Sequence, residues 1–381
     1  MIGYGHQYID DSDIEAVVKV LQSDYLTQGP FVTQFENEIC RITGAKYCVA
    51  VSNATAALHI AVAALELEKG SEGITSPNTF LASSNCMVYN NVRPVFADIN
   101  PVSYNIDPSE IEKRVTDKTK LLIPVHFAGL PCEMDKISAI AKKYNLHVIE
   151  DAAHAIGSQY ADGSYVGNCK HSDMTVFSFH PVKTITTGEG GAVATNDEKL
   201  YQKLLMLRSH GTTKDEKLLT KNPGTWYYEM QSLGFNYRMT DMQAALGYSQ
   251  LQKLAFFKKR RREIIAMYNK AFDGMKYLKT PVEPENVSSC FHLYVVLIDF
   301  TSLGKRRCQV MQELSENGIG TQVHYIPVHT QPFYKNTFGY KEGDYPLAEK
   351  YYEQTLSLPL YPGLSDDDVN NVIKAVKEVI A

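Results

Sequence analysis

Three short stretches gather side chains capable of chemistry. In VIEDAAHAIG, residues 148–157, an apolar run delivers Glu150 and Asp151 to its end, and His154 follows one helical turn later. An acid at the carboxyl end of a buried strand sits where open α/β sheets bind ligands. It could serve a metal, a ribose hydroxyl or a protonated ring nitrogen; capping a helix is the plainest role. No ligand set with metal spacing accompanies it, which disfavours a metal. A lone histidine is usually structural, but one turn from Asp151 it is placed to face the same ligand.

In TVFSFHPVKTITTGEGGAVATND, residues 175–197, a strand at 175–179 ends in Ser178-Phe179-His180-Pro181, and Lys183 follows. Gly188, Gly190 and Gly191 then impose an unusual backbone before a second strand at 192–195. Lysines are rarely held between a buried strand and a glycine turn without work to do there. Desolvation lowers an amine's pKa and suits it to Schiff-base chemistry. GEGG is a poor dinucleotide fingerprint, because the full spacing is absent and no helix opens on it.

The third stretch is SNATAALHIAVAAL, residues 52–65, where a strand ends at Ser52 and a helix begins near Ala54. Exposed amides and the Thr55 hydroxyl there meet the positive end of a helix dipole, a ready anion site. Alone, the stretch reads as an ordinary capped helix. Together, the buried acid, a lysine 32 residues beyond it and the helix start upstream make a kit for pyridoxal phosphate. The acid suits the pyridine nitrogen, the lysine the aldehyde and the donors the phosphate.

Apolar runs at 47–52, 73–76, 92–98, 121–125 and 147–151 read as the strands that carry these groups. Helical patterns at 54–67 and 134–144 lie between them, and Ser12 and Asp13 are placed to cap a first helix bearing Ile14, Val17, Val18 and Leu21. This alternation predicts an α/β fold with a mostly parallel central sheet flanked by helices. The pattern changes after about residue 240. A helical stretch at 240–272 contains Lys258-Lys259-Arg260-Arg261-Arg262, read as a solvated helix face rather than a nucleic-acid patch. Pro281, Pro284 and Asn286 mark a loop, followed by strands at 291–298 and 320–325 and helices at 305–317 and 366–380. The expectation is a large cofactor-binding domain over 1–250 and a smaller α+β domain over 251–381.

The 381 residues are 44% apolar and 21% charged, as in a soluble globular protein of two or three domains. A net charge of −5 argues against nucleic acid or an anionic membrane as the main partner. Seven cysteines without a C-x-x-C pair are neither a disulfide framework nor a zinc signature. With no leader-like N-terminus and no apolar run near the roughly 20 residues of a membrane span, a cytoplasmic protein is expected.

SNATAAL, EDAAHAIG, FSFHPVKTITTGEGGAVATND, LRSHG and GFNYRMTDMQAALG follow one another as in the DegT/DnrJ/EryC1/StrS sugar aminotransferases. The chain resembles that family over essentially its whole length. The resemblance implies a fold-type I aminotransferase dependent on pyridoxal 5′-phosphate, acting as a homodimer with shared active sites. It makes Lys183 the Schiff-base lysine and pairs Asp151 with the pyridinium nitrogen. Phe80 would stack on the ring, and Ala54, Thr55 and Ser178 would hold the phosphate. Asn236 would reach that phosphate from the partner subunit. His154 would stand beside the cofactor's phenolic oxygen, where many members have glutamine.

YLTQGP at 25–30 and GTQVHYIPVH at 320–329 resemble most the members that aminate C4 of a UDP-4-keto-6-deoxy-N-acetylhexosamine. L-Glutamate would be the donor and 2-oxoglutarate the product. Tyr4, Leu26, Thr27, Gln28, Gly29, Gln322, Val323, His324 and Tyr325 would then line the nucleotide-sugar pocket. Two other readings stay open. One is a sibling acting on another nucleotide-linked 4-keto sugar, of the bacillosamine, 4-amino-arabinose or perosamine type. The other is a non-catalytic, cofactor-binding regulator. The dehydratases of the family lack the Schiff-base lysine, which Lys183 supplies here.

Overall fold

Seven segments pair into one sheet in the computed structural model, which describes residues 1–380. They are β1 (Tyr47–Val51), β2 (Glu72–Thr75), β3 (Arg93–Phe96), β4 (Thr119–Ile123), β5 (His147–Asp151), β6 (Met174–Ser178) and β7 (Gly191–Thr195). Their spatial order is β1-β7-β6-β5-β4-β2-β3. Within this sheet β7 runs antiparallel to both its neighbours, β1 and β6, and the remaining pairs are parallel. Every residue of β6 and β7 is buried, which is why these strands read as unbroken apolar runs.

Successive strand residues enter opposite layers. Val49, Ile149, Val176 and Val193 pack with the helices Ala54–Ala64, Ala82–Tyr89 and Glu198–Arg208. Ala50, Val148, Phe177 and Ala192 pack with Pro30–Thr43, Met134–Tyr144 and Asp241–Gln252. The two acids of β5 therefore point opposite ways. Asp151 follows Ile149 toward Ala82–Tyr89. Glu150 follows Val148 and is met by His126 at 2.8 Å, Ser172 at 2.5 Å, Thr175 at 3.2 Å and the Tyr160 hydroxyl. That closed, buried network leaves Asp151 as the acid free to meet a ligand.

A second sheet joins Leu278–Lys279, Tyr294–Ile298 and Thr355–Leu358 in antiparallel fashion. Ile264, Tyr268, Val296, Leu314 and Val372 form its core with the helices Leu254–Phe272, Arg307–Glu316 and Asp366–Val379. The cluster of Phe96, Phe127, Val295, Val328 and Tyr351 ties the two sheets together.

Four local expectations are corrected. The stretch 240–272 is two helices, Asp241–Gln252 and Leu254–Phe272, parted at Lys253, whose ammonium meets Asp10 at 2.8 Å and Asp13 at 2.6 Å. The first helix, Asp11–Leu21, is capped by Asp10, with Asp13 completing the box. The segment 320–325 is not a strand; it touches the second sheet by one bridge, Gln322 to Ser357. The basic cluster is only partly solvated, because its helix passes between two cores. Arg261 is 1% exposed and donates to the carbonyls of Phe291, His292 and Leu360. Arg260 pairs with Asp366 and Arg262 with Glu283, and Lys258 donates to the Gly157 carbonyl, while Lys259 stays exposed.

Candidate active site

The carboxyl ends of β5 and β6, the start of β7 and the N-terminus of Ala54–Ala64 surround a cavity of about 910 Å³. Asp151 closes β5 at its floor and is 4% exposed. Its Oδ2 accepts from Ser83 Oγ at 2.6 Å and its Oδ1 from the Ala153 amide at 3.1 Å. Thr79 and Ser83 share a further hydroxyl contact at 2.7 Å. The carboxylate is thus held in one orientation before any ligand arrives.

Lys183 lies on the turn after β6, fixed by its own amide, which donates to the His180 carbonyl at 2.8 Å. Its side chain is half-buried and lines the cavity with Asp151. Burial pulls the ammonium pKa down to about 8, against the opposing pull of the Asp151 charge. A useful fraction of the amine is therefore neutral, and nucleophilic, near neutral pH.

The end of the cavity at the start of Ala54–Ala64 is built by close approach. Asn53 caps the helix by accepting the Ala56 amide at 2.8 Å, and its carbonyl accepts the Ala57 amide. The amides of Ala54 and Thr55 remain for a ligand. Ser178 ends β6 opposite Gly191 in the β6–β7 register. A Cβ on Gly191 would lie 2.6 Å from the Ala54 nitrogen, so glycine is what lets β7 press against the helix start. Of the three glycines singled out in the sequence, only Gly188 takes a left-handed conformation, at φ +79°.

Five histidines also line the cavity, and three of them, His154, His292 and His324, are strongly desolvated. Burial pushes His324 down to about 3 and holds His154 and His292 well below the usual range, with the Lys183 charge adding to each. All three are neutral at pH 7. His324 Nδ1 meets Ser357 Oγ at 2.8 Å, and the Tyr325 hydroxyl meets His154 Nε2 at 3.1 Å. Tyr4 reaches the same cavity because Ile2 and Tyr4 are tied by backbone bonds to Gly318, Gly320 and Leu360.

The sequence model of the DegT/DnrJ/EryC1/StrS aminotransferase family matches residues 7–377. The chain belongs to that family. It is 44% identical over 378 residues to the spore coat polysaccharide biosynthesis protein SpsC of Bacillus subtilis (strain 168), covering 99% of this chain and 96% of that one. It is 39% identical over 375 residues to the UDP-4-amino-4,6-dideoxy-N-acetyl-beta-L-altrosamine transaminase of Campylobacter jejuni, covering 98% and 96%. Among solved structures, Helicobacter pylori PseC, an aminotransferase involved in the biosynthesis of pseudoaminic acid, superposes with a TM-score of 0.92 at 33% identity, over 100% of this chain and 99% of that one. The aminotransferase-like α/β fold is therefore established, and the chain is a sugar aminotransferase of the DegT family.

DegT-family aminotransferases depend on pyridoxal 5′-phosphate, and solved neighbours include pyridoxal- and pyridoxamine-phosphate forms. The cavity fits that group on its own chemistry. A lysine whose pKa is lowered by burial, an oriented carboxylate and two unspent helix amides stand around one space, and His292 Nδ1 is buried there without a partner.

For a DegT-family site, the placement of the remaining expected residues is uneven. Tyr4, Ala54, Thr55, Phe80, Asp151, His154, Ser178, Lys183, His324 and Tyr325 share the one cavity. Leu26, Thr27, Gln28 and Gly29 do not line it within this chain. They are held at the start of Asp241–Gln252, where Asp241 accepts the Gly29 amide at 2.8 Å and Thr27 bridges Thr240. Asn236 is exposed on the neighbouring segment, bridged to Ser209. Gln322 and Val323 also lie off the cavity wall, and the Gln322 side chain turns back to the Val323 amide at 2.8 Å. Sequence reasoning missed Ser83, His59, Tyr237 and His292. His59 had a usable signal, being one turn beyond Thr55 on the same helix, and it meets the Tyr237 hydroxyl at 3.0 Å. Ser83 and His292 had none.

Proposed function

We propose that this aminotransferase moves the amino group of L-glutamate to C4 of a UDP-linked 4-keto-6-deoxy-N-acetylhexosamine. The product is UDP-4-amino-4,6-dideoxy-N-acetyl-β-L-altrosamine, on the route to pseudaminic acid, and the enzyme works as a cytoplasmic homodimer. The observation that carries this reading is one cavity holding Lys183 and Asp151 together with Tyr4, His324 and Tyr325. It comes on a chain 39% identical to the Campylobacter transaminase of that product.

In this reading, the cofactor supplies an electron sink for charge that develops at the reacting carbon. Asp151, oriented by Ser83 and the Ala153 amide, holds a proton on the ring nitrogen. The Ala54 and Thr55 amides and the Ser178 hydroxyl would bind the phosphate, and Phe80 would stack on the ring. Lys183 Nζ takes a proton from Cα of glutamate and, in the second half of the cycle, delivers one to C4 of the sugar. Neutral His292 and His324 offer hydrogen bonds suited to hydroxyl and acetamido groups.

Two features support a shared site. Among the described residues lining the cavity, Lys183 is the sole lysine or arginine, too little charge for a diphosphate and two carboxylates. Phe80 and Tyr89 line it yet are 58% and 53% exposed, and Trp226 and Leu233 stand out at 71% and 76%. In the homodimer, Asn236 serves the partner's cavity. The Thr27–Thr240 bridge keeps Leu26 to Gly29 close to that segment, so they serve it too.

The 44% identity to SpsC favours a second reading, a sibling that aminates another nucleotide-linked 4-keto sugar. Turnover of a panel of nucleotide-linked 4-keto sugars with L-glutamate, with each product identified, tests both. A chain that binds cofactor and completes neither half-reaction would be a regulator.

A further inference from the structure

The side chains around His154 set the direction of a hydrogen-bond chain. The Ala128 amide donates to His154 Nδ1 at 3.2 Å. An amide can only donate, so Nδ1 is bare. Burial holds the ring neutral, so its one proton sits on Nε2. Nε2 therefore donates to the Tyr325 hydroxyl oxygen, 3.1 Å away. Burial also raises the Tyr325 pKa, so the phenol keeps its proton. That proton has no acceptor among the described residues, and Tyr325 lines the cavity. Packing fixes both rings. His292 lies 4.4 Å from His154, and Phe127 meets Tyr325 edge-on at 6.2 Å.

We propose that Ala128, His154 and Tyr325 form a one-way hydrogen-bond chain that makes the Tyr325 hydroxyl an obligate donor to an anionic or carbonyl-type oxygen of the bound ligand. Two ligand oxygens would have that chemistry, the ring hydroxyl oxygen of the cofactor and an oxygen of the keto sugar. The inference rests on the cavity being the cofactor and sugar site. Tyr325 is then the contacting residue and His154 a positioning residue. His154 does not itself touch the ligand through Nε2, because Tyr325 occupies that nitrogen. This refines the expectation that His154 stands directly beside the phenolic oxygen.

The test has three parts, all on the cofactor-loaded protein. Nitrogen-15 shifts of His154, assigned by its loss in His154→Gln, should show a bare Nδ1 and a protonated Nε2. A protonated Nδ1 would overturn the proposal. Tyr325→Phe should either move the pH midpoint of the cofactor's visible band by about one unit or more, or raise KM for the sugar about tenfold or more. The first outcome assigns the oxygen to the cofactor and the second to the sugar; no change in either contradicts the proposal. Glutamine can accept from the Ala128 amide and donate to Tyr325, so His154→Gln should lose less than His154→Leu, which should follow Tyr325→Phe. Equal behaviour of the glutamine and leucine variants would count against the chain. Wild-type protein that forms no visible band would refute the cofactor reading instead, so the two failures are distinct.

Discussion

Ser83 Oγ lies 2.6 Å from Asp151 Oδ2, a contact between the helix Ala82–Tyr89 and the last residue of β5. It turns a buried acid into an oriented one. Ser83→Ala should weaken cofactor binding by about threefold to tenfold, the usual net worth of one hydrogen bond. Asp151→Asn should cost about two decades or more in turnover, because an amide cannot hold the ring nitrogen protonated. Cofactor titration by absorbance measures the first and steady-state rates the second. A Ser83→Ala protein as defective as Asp151→Asn would contradict this ranking.

Lys183→Ala should fold and bind cofactor non-covalently, without turnover and without a band that borohydride can fix to the chain. Near-wild-type turnover would remove the lysine from the mechanism.

The same lysine gives a pH dependence. Its folded pKa, about 8, is below the ordinary lysine value, so the unfolded chain holds the proton more tightly. Charging Lys183 in the folded apo-protein therefore costs stability at pH 7, and the cost fades as pH rises through 8 toward 10.5. Cofactor-free Lys183→Met should melt above wild type at pH 7, with the gap closing by about pH 10. A gap that widens with pH would mean that the lysine is not desolvated.

The acid, the lysine and the helix start that share the cavity were legible because each sits at a strand end or helix start that the local pattern marks. Ser83 and His292 were not, because their importance arises when distant segments meet over β5. Lys253 gave no warning of a helix break, since neither glycine nor proline marks it; its ion pairs with Asp10 and Asp13 form across the fold. Arg261 was hidden by its neighbours: five basic residues in a row look solvated until the helix is seen between two cores.

Arg261→Ala should destabilise the protein by about 3 kcal/mol or more, leaving buried carbonyls of Phe291, His292 and Leu360 without their donor. Lys259→Ala should fall within about 0.5 kcal/mol of wild type. Denaturant unfolding distinguishes the two, and equal effects would return the cluster to a uniformly solvated face.

A shared site predicts complementation. Inactive Lys183→Ala mixed with weakened Asn236→Ala should regain activity above either parent, since one site of each mixed dimer keeps both residues. No recovery despite proven subunit exchange would count against Asn236 acting across the interface.

The most direct measurement supplies the L-arabino and D-xylo forms of the UDP-4-keto-6-deoxy-N-acetylhexosamine separately, each with L-glutamate, and identifies the product by NMR. The proposed site, with Tyr325 as a fixed donor, should prefer the L-arabino sugar and place nitrogen on C4 to give the altrosamine product. Exclusive turnover of the D-xylo sugar, or turnover only of a sugar lacking the acetamido group, would contradict the substrate assignment.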